Sequence, residues 1–480
     1  MKDFYLSFDE SSPKYLQLTK HIKELITSGK LTNHYRLPSI RRLSQHLKVS
    51  TSTIVQCYNN LENDGFVYKK VGGGTYVIGD NNKSMLKEDF SDISLESKVP
   101  YDFASASPSP VFFPVKTFKE LLNRVLDRDG GYAFNYQEQG GYLPLRQSLT
   151  SMLTNYKIYV TAQEVSIITG GQQGVDIIAK ALLEKNDYVV VEKPSYPGAI
   201  ASFNSRSANI IEVPIRQKGI DLIQLEKVLA QYKPKLMYLM PDFQSPTGYQ
   251  YDLKSRKKVI ELANKYNTYI VEDDHFSDLN YTSNSLPPLK SLDTMDKVIF
   301  VKSFSKAFMP GLRLALMIPP SSLHNQLNEV KQHTDISTSG LVQRAFDLFL
   351  REGLWDVHIK STKQIYARRF STALKMLERT LPWEVPFTHP TGGLCIWVSL
   401  PHNYNSQTLY YEALKKGVAI LPGHRFYFSQ NQHNTFRLSF TSVTEQEIAE
   451  GTKLLGDTVK QFLTDYRDLG HLKHPKSKFF

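Results

Sequence analysis

The chain has 480 residues, 41% of them apolar and 22% charged, which is ordinary for globular protein but long for one hydrophobic core. We therefore expect two or three domains. No apolar run approaches the roughly 20 residues of a membrane span, and the start, MKDFYLSFDE, carries charges unlike a secretory signal. These features predict a cytoplasmic protein without membrane contact. The two cysteines, Cys57 and Cys395, provide neither a disulfide framework nor a cysteine-rich metal site, and we predict no metal.

The positive charge is concentrated near the start of the chain. The formal net charge is +11, and residues 14–78 contain ten Lys and Arg against three acids, a surplus of seven. A basic surplus on a short segment is the electrostatic pattern expected for contact with a phosphate backbone. Nucleic acid is therefore the first partner to consider.

The first predicted helix lies in PKYLQLTKHIKELITSG. Four apolar residues recur there at helical spacing and predict one packing face: Leu18, Ile22, Leu25 and Ile26. Gly29 is a typical residue at a helix end.

Two shorter helices follow across a tight turn. Ser39 is the predicted N-cap of the first, whose apolar residues Ile40, Leu43 and Leu47 would face inward. Ser50 is the predicted cap of the second, STSTIVQCYNNLENDG. Two helices joined in this way predict a helix-turn-helix.

A glycine-centred hairpin comes next. FVYKKVGGGTYVI has two segments of β-forming residues on either side of three glycines, which indicates a wing with basic residues at its base.

Two segments resemble the GntR-type winged helix-turn-helix over residues 13–78: LPSIRRLS and VSTSTIVQCYNNLENDGFVYKKVGGGTYV. We assign residues 1–78 to this domain. The resemblance implies double-stranded operator DNA as a partner, with phosphate or base contacts from Arg36, Ser39 and Arg41 and a wing contact at Gly73. It also implies that five residues face the major groove: Ser50, Thr51, Ser52, Thr53 and Tyr58. The family often has arginine where this chain has Thr51, so a common guanine-reading group is absent. The alternative is a winged helix used only for protein contacts.

Residues 79–99 are polar, carry mixed charges and lack a sustained apolar period, which predicts a linker. From about residue 100, apolar strands alternate with amphipathic helices, as in DYVVVEKPSY, KLMYLMPD, TYIVEDDHF and KVIFVKSFSK. This pattern predicts an α/β domain with a mainly parallel sheet and a ligand at the carboxyl ends of the strands.

Polar clusters follow several of these strands. TGGQQGVD opens a helix whose free amides near Gly171 and Gln172 could hold a phosphate. IVEDD ends in Asp273, a carboxylate able to pair with a protonated ring nitrogen. SFSKAFMPGLR supplies the amine of Lys306, and the same segment offers phosphate ligands: Ser303, Ser305 and Arg313.

Each cluster alone has an ordinary structural interpretation, as a turn, a helix cap or a surface charge. Together they match one ligand with an aldehyde, a phosphate and a pyridine nitrogen, which is pyridoxal 5′-phosphate (PLP). A partly desolvated lysine near other cations loses its proton readily and can attack an aldehyde.

Seven segments in order resemble the fold type I aminotransferases over about residues 100–465: YQEQGGYLPLR, ITGGQQGV, EKPSYPG, PDFQSPTG, VEDDHF, SFSKAFMPGLR and FRLSF. The resemblance implies that Lys306 is the catalytic lysine joined to PLP and Asp273 the partner of the pyridine nitrogen. It implies a ring stacked on the cofactor for Tyr196, and for Tyr136 a contact with the phosphate of a neighbouring subunit. Arg437 would grip a substrate carboxylate, or alternatively form a structural ion pair. Residues 466–480 are assigned to a C-terminal tail.

Two positions depart from the family pattern near the ring hydroxyl of the cofactor. The family usually has asparagine at the position of Ser245 and tyrosine at that of His275. An imidazole can still donate to the ring hydroxyl oxygen, so cofactor binding is expected, while catalytic turnover stays an open question.

The combined domains resemble the MocR subfamily of bacterial transcription regulators. This resemblance implies a homodimer that senses an amine or amino acid through aldimine exchange at Lys306. Two alternatives stay open, an active aminotransferase with an accessory DNA-binding domain and a relic that has lost its cofactor. The effector stays open among amino acids, ω-amino acids, sulfonates and the cofactor vitamer itself. The sequence also leaves open the operator and whether the protein activates or represses transcription.

Overall fold

The computed structural model describes most of the chain: residues 4–6, 8–9, 12–32, 35–63, 66–70, 74–77, 99–282, 284–429 and 432–470. Gly73 and nearly all of the predicted linker lie outside these residues. The chain divides into two compact units, of which the larger is Val99–Thr464. Among the described helices, none combines the length and apolar character needed to cross a membrane.

The smaller unit contains three helices and a two-stranded antiparallel hairpin: α1 Lys14–Thr27, α2 Ile40–Leu47, α3 Thr51–Asn63, β1 Val67–Lys70 and β2 Gly74–Val77. All four residues of the predicted packing face of α1 are buried, and Gly29 follows the helix with a positive φ of 75°. Ser39 accepts a hydrogen bond from the backbone amide of Arg42 at 3.4 Å, and Ser50 accepts one from that of Thr53 at 3.1 Å. Both predicted N-caps are therefore confirmed.

The larger unit contains thirteen described strands: β3 Tyr101–Asp102, β4 Ser166–Ile168, β5 Tyr188–Lys193, β6 Asn209–Arg216, β7 Gly219–Ile220, β8 Leu236–Leu239, β9 Tyr269–Asp274, β10 Val298–Ser303, β11 Ala315–Ile318, β12 Ile396–Ser399, β13 Val418–Ala419, β14 Leu421–Pro422 and β15 Thr435–Leu438.

Eleven described α-helices lie within it: α4 Val115–Asp129, α5 Leu143–Leu153, α6 Gly171–Leu182, α7 Pro197–Ser205, α8 Leu222–Tyr232, α9 Leu253–Tyr266, α10 Leu289–Leu292, α11 His324–Asp335, α12 Gly340–Arg351, α13 Leu354–Thr380 and α14 Ser406–Lys415. A twelfth, α15 Glu445–Gly470, begins in this unit and ends beyond Thr464.

Eight strands form the central sheet in the order β4, β11, β10, β9, β8, β5, β6, β7. The pairs β10–β9, β9–β8, β8–β5 and β5–β6 are parallel. Because β11 runs antiparallel to both β10 and β4, those two strands point the same way. The predicted mainly parallel sheet is confirmed, and β4, β5, β8, β9 and β10 end at the same edge.

Both faces of this sheet are covered by helices. Consecutive side chains of a strand point to opposite faces, and in β5 the buried Val189 and Val191 join a cluster with α6 and α7, whereas Val190 joins one with α8 and α9. Strands buried on two faces are continuously apolar, as VVV is here, so polar side chains are placed where the strands end.

Candidate cofactor site and nucleic-acid interface

The ends of parallel strands bring the predicted cofactor ligands together. Asp273 lies near the end of β9, Ser303 ends β10, and Gly171 begins α6 directly after β4. A side-chain carbon placed on Gly171 would lie 3.4 Å from Cβ of Ser303 and 3.9 Å from Oδ1 of Asp273. The three residues predicted from separate motifs therefore share one small region, which we call the cofactor site.

Arg313 lies against the glycine turn of this site. Its Nη2 donates to the carbonyl of Thr169 at 3.3 Å, and its Nη1 is 3.5 Å from the hydroxyl of Ser305. A side-chain carbon on Gly170 would come within 2.3 Å of Nη2, so the guanidinium needs a glycine there. The Ser303 hydroxyl accepts from the amide of Ser305 at 3.3 Å. Hydroxyls, a guanidinium and the start of α6 together form a set of donors suited to a phosphate.

Asp273 is buried and contacts two ring side chains. The hydroxyl of Tyr238, on β8, donates to its Oδ2, and Nδ1 of His275 lies 3.5 Å from its Oδ1. His275 thus lies beside the carboxylate, while its predicted contact with the cofactor ring hydroxyl stays a prediction. Sequence reasoning missed Tyr238. The signal was a tyrosine in the buried strand KLMYLM, because a buried phenol hydroxyl usually has a hydrogen-bond partner.

Lys306 is half-buried, and its Nζ donates to the carbonyl of Ala106 at 3.1 Å. Burial and the nearby positive charges of Arg437 and Arg313 lower the pKa of this amine to about 8, although Cys395 opposes the shift. A substantial neutral fraction at physiological pH is what an attacking amine requires.

A second lysine of the same segment has the opposite environment. Lys302 is fully buried, and its Nζ lies 2.9 Å from Asp274 Oδ2 and 2.8 Å from Asp278 Oδ2. Burial alone opposes its charge, but the two carboxylates outweigh this effect and raise the pKa of Lys302. Lys302 is consequently a structural ion-pair partner, whereas Lys306 has the lowered pKa that its predicted role as the reactive amine requires.

Tyr196 and Gln172 border the site. Tyr196 precedes α7 and is half-buried, and burial and the charge of Asp273 raise the pKa of its hydroxyl while Arg313 opposes this. The side chain of Gln172 donates to the carbonyl of Gly198 at 3.0 Å and to Ser202 at 2.9 Å. Tyr196 therefore lies near the carboxylate and the guanidinium, while its stacking on a bound ring stays a prediction.

Arg437 lies on β15 with 9% of its surface exposed. Its Nη2 donates to the carbonyl of Ala104 at 2.5 Å, and its guanidinium carbon lies 5.5 Å from the ring centre of Phe426. Its Nε is buried without a hydrogen-bond partner among the described residues, and no carboxylate of those residues pairs with it. The arginine thus keeps a free donor beside Lys306, which favours ligand recognition over the ion-pair alternative.

Cys395 lies beside the same amine. Burial raises the pKa of the thiol, although Arg437, Lys306 and Ser245 oppose this. The residue that stands in place of the family asparagine therefore lies near a thiol. Tyr136 is 80% exposed in the single chain, and its predicted contact with a neighbouring subunit stays a prediction.

The smaller unit presents most of the predicted DNA-contacting residues at its surface. Thr53 is half-buried, and six others are exposed: Arg36, Ser39, Arg41, Ser50, Thr51 and Ser52. The backbone of Arg36 forms an antiparallel bridge with Tyr76 of β2, and its Nε lies 3.0 Å from the position of a side-chain carbon on Gly74. Ser39 and Ser50 also cap their helices.

The prediction for Tyr58 was wrong. Only 1% of its surface is exposed, and its hydroxyl donates to the carbonyl of Pro38 at 2.7 Å. The residue is on the inner side of α3 with Ile54 and Leu61, so it fixes α2 against α3 and cannot reach a groove.

The chemistry of the cofactor site fits PLP. Arg313 and the glycine turn offer donors suited to a phosphate, Asp273 is a buried carboxylate able to pair with a ring nitrogen, and Lys306 supplies an amine of lowered pKa. The described residues contain no group of His, Cys, Asp and Glu able to hold a metal ion.

Two family models match the chain. The model for aminotransferase class I and II matches residues 109–455, and that for bacterial regulatory proteins of the gntR family matches residues 14–77.

Relatives fall into two groups. Aromatic-amino-acid aminotransferase 1 of Thermococcus litoralis is 32% identical over 373 residues, 76% of this chain and 89% of the relative. The uncharacterized HTH-type transcriptional regulator YdfD of Bacillus subtilis is 27% identical over 470 residues, 94% of this chain and 97% of the relative. Among solved structures, α-aminoadipate aminotransferase of Thermus thermophilus, complexed with N-(5′-phosphopyridoxyl)-L-leucine, has a TM-score of 0.74 at 32% identity. That match covers 80% of this chain and 98% of the solved chain.

Proposed function

Because this chain belongs to the class I and II aminotransferases, whose cofactor is PLP, and carries a GntR-family DNA-binding domain, we propose that it is a transcription regulator controlled by an amine or amino acid. The effector would compete with Lys306 for the cofactor. The full-length similarity to a chain named as a transcriptional regulator supports this order of domains.

The observation that carries the proposal is the environment of Lys306. PLP, when bound, supplies an aldehyde that primary amines capture reversibly. Burial and the charges of Arg437 and Arg313 lower the pKa of Lys306 to about 8, so a substantial fraction of its amine is neutral, and the site also contains the free donor of Arg437. An effector amine can therefore replace Lys306 while Arg437 binds an acidic group of the same molecule.

Coupling to DNA requires that the effector bind one arrangement of the protein better than another. We propose a homodimer that presents two winged helices to a repeated or palindromic operator. Support comes from three aromatic residues close together in the chain whose surfaces are 75%, 68% and 80% exposed: Tyr132, Phe134 and Tyr136. Aromatic side chains exposed in one chain are typical of surfaces that a second chain covers.

The test is replacement of Lys306 by alanine, with Lys254→Ala, an exposed lysine of α9, as the matched control. The mutant should lose the visible absorption of the bound cofactor. It should still occupy its operator, because Arg36, Arg41 and α3 are untouched, but operator affinity and promoter output should no longer respond to amines. A full effector response in Lys306→Ala would overturn the proposal.

A second function is favoured by the relatives named as aminotransferases and by the retention of Lys306, Asp273 and Arg313. In this alternative the chain is an active aminotransferase with an accessory DNA-binding domain. Steady-state assays with amino acids and a keto acid separate the two functions. Turnover at typical enzyme rates, about 1 to 1,000 per second, would favour the enzyme.

A further inference from the structure

Helix α3 has one face that the smaller unit leaves exposed. We call it the reading face, and its members recur at helical spacing: Thr51, Ser52, Val55, Gln56 and Asn59. The opposite side of the helix is buried in the core of the smaller unit through Ile54, Cys57, Tyr58 and Leu61. The core therefore fixes which side chains α3 can offer to a ligand.

The reading face has no positive charge. The sequence of α3, TSTIVQCYNNLEN, lacks both lysine and arginine. Exposed cations lie instead on the preceding segments, at Arg36, Arg41, Arg42 and Lys48. Guanine is most often read by a bidentate arginine or lysine, and phosphates are contacted by the same residue types. The cations are thus placed to bind the backbone, while α3 has no usual guanine reader.

Several hydroxyls near the start of α3 are already engaged. Ser50 Oγ lies 2.7 Å from Ser52 Oγ and 2.8 Å from Thr53 Oγ1, which joins all three in the helix cap. Beyond them Val55 is 40% exposed, and the exposed amide of Gln56 has no hydrogen-bond partner among the described residues. An exposed branched apolar side chain and a free carboxamide are therefore the prominent groups in the middle of the reading face.

We propose that the reading face selects A·T base pairs, with Gln56 reading adenine and Val55 contacting the methyl group of a thymine. This inference rests on the proposed DNA-binding function and adds the identity of the bases. A glutamine carboxamide accepts from adenine N6 and donates to N7, and an apolar side chain packs against the thymine methyl group. Cytosine offers no methyl group, and guanine presents acceptors at both O6 and N7.

The first experiment selects duplexes from a random-sequence library with the full-length, PLP-loaded protein. The wild-type motif should contain neighbouring A·T pairs. Gln56→Ala should reduce discrimination for adenine at one position by about five- to a hundred-fold, the range expected for one bidentate pair. Gln56→Arg should change that position toward guanine. Gln45→Ala, an exposed glutamine of α2 outside the reading face, is the matched control and should keep the wild-type motif.

The second experiment changes the DNA and leaves the protein intact. Deoxyuridine in place of thymidine removes only the methyl group, and 7-deazaadenine removes only the N7 acceptor. At the contacted positions the wild type should lose affinity for both analogues. Val55→Ala should be indifferent to deoxyuridine, and Gln56→Ala to 7-deazaadenine.

The outcomes separate this inference from the function on which it rests. Sequence-specific binding that retains the same preferences in Val55→Ala and Gln56→Ala would overturn the base assignment and leave the DNA-binding regulator standing. A wild type indifferent to both analogues at every A·T pair of its motif would also overturn it, even if a variant failed to fold. Absence of any enriched duplex would overturn the inference and the proposed function together.

Discussion

Lys302 and Lys306 belong to the same short segment of the sequence, yet their surroundings shift their pKa values in opposite directions. Carboxylates surround Lys302, whereas Arg437 and Arg313 lie near Lys306. A reactive amine is defined by these neighbours, because desolvation disfavours the charged form and nearby cations disfavour it further.

The charge on Lys306 should therefore appear in the pH dependence of cofactor capture. Because only the neutral amine attacks, the rate at which cofactor-free protein develops visible absorption with added PLP should rise through pH 8, near the lowered pKa of Lys306. Arg437→Gln should move this midpoint upward, because Arg437 lowers the pKa of Lys306 more than Arg313 does. A midpoint near 10.4, about the value for an ordinary lysine, would contradict the assignment.

Arg437 should distinguish amino acids from their decarboxylated amines. Replacement by glutamine removes a buried charged donor, so binding of an acidic ligand should weaken by about 2 to 5 kcal/mol while the amines bind as before. Spectral titration of the PLP-loaded protein measures both, and Arg368→Gln, an exposed arginine of α13, provides the control. If Arg437→Gln bound acids and amines as the wild type does, the residue would have a structural role.

Single residues show where prediction from sequence succeeds and where it stops. The motif around Lys306 predicted a reactive amine only together with those around Asp273 and Gly171, because the combined residue types match one cofactor. Tyr58 was wrongly predicted to face the major groove because its residue type does not show whether the ring lies on the exposed or the buried side of α3. Only the packing of α2 against α3 shows that it is buried. Tyr238 was missed because its role depends on the adjacency of β8 and β9, which is a property of the sheet.

At the scale of elements, the turn between β4 and α6 decides whether the phosphate ligands can meet. Gly170 has φ 90° and ψ 160°, a conformation open almost only to glycine, and Arg313 occupies the space beside it. The glycine-rich motif predicted this turn, but the close approach of Arg313 from another segment could not be read from either motif alone.

Gly170→Ala should therefore destabilise the larger unit by about 1 to 3 kcal/mol and weaken PLP binding, because both the backbone and Arg313 must move. Gly311→Ala is the matched control, since a side-chain carbon there meets nothing within 4 Å and its φ is not in the left-handed region. Chemical denaturation gives the free energy of unfolding, and fluorescence titration gives the PLP dissociation constant. Equal effects of the two substitutions would show that the turn does not hold Arg313 in place.

At the scale of the whole molecule, the proposed sensing and the proposed DNA reading belong to separate cores. The smaller unit has its own buried cluster around Leu18, Ile22 and Leu43, and the cofactor site lies entirely within the larger unit. Patterns of apolar residues predicted the helix-turn-helix and the mainly parallel α/β sheet, whereas the GntR-type and fold type I assignments came from the resemblance of several motifs. The way in which an effector changes DNA binding depends on assembly, which no periodicity encodes.

The last prediction concerns that assembly. A dimer makes its second DNA contact intramolecularly, so full-length protein should bind a two-site operator about 100- to 10,000-fold more tightly than isolated residues 1–80. The basic surplus of residues 14–78 should also make binding of both fall steeply with salt, by about a thousand-fold between about 50 and 200 mM if the dimer contacts about six phosphates.

Electrophoretic mobility shift at several salt concentrations measures both effects, and an operator with one half-site destroyed is the control. On that control the full chain and the fragment should bind alike, because tethering then gives no second contact. Equal affinity of the two proteins for the intact operator would mean that one winged helix suffices, and the proposed coupling through two readers would have no physical basis.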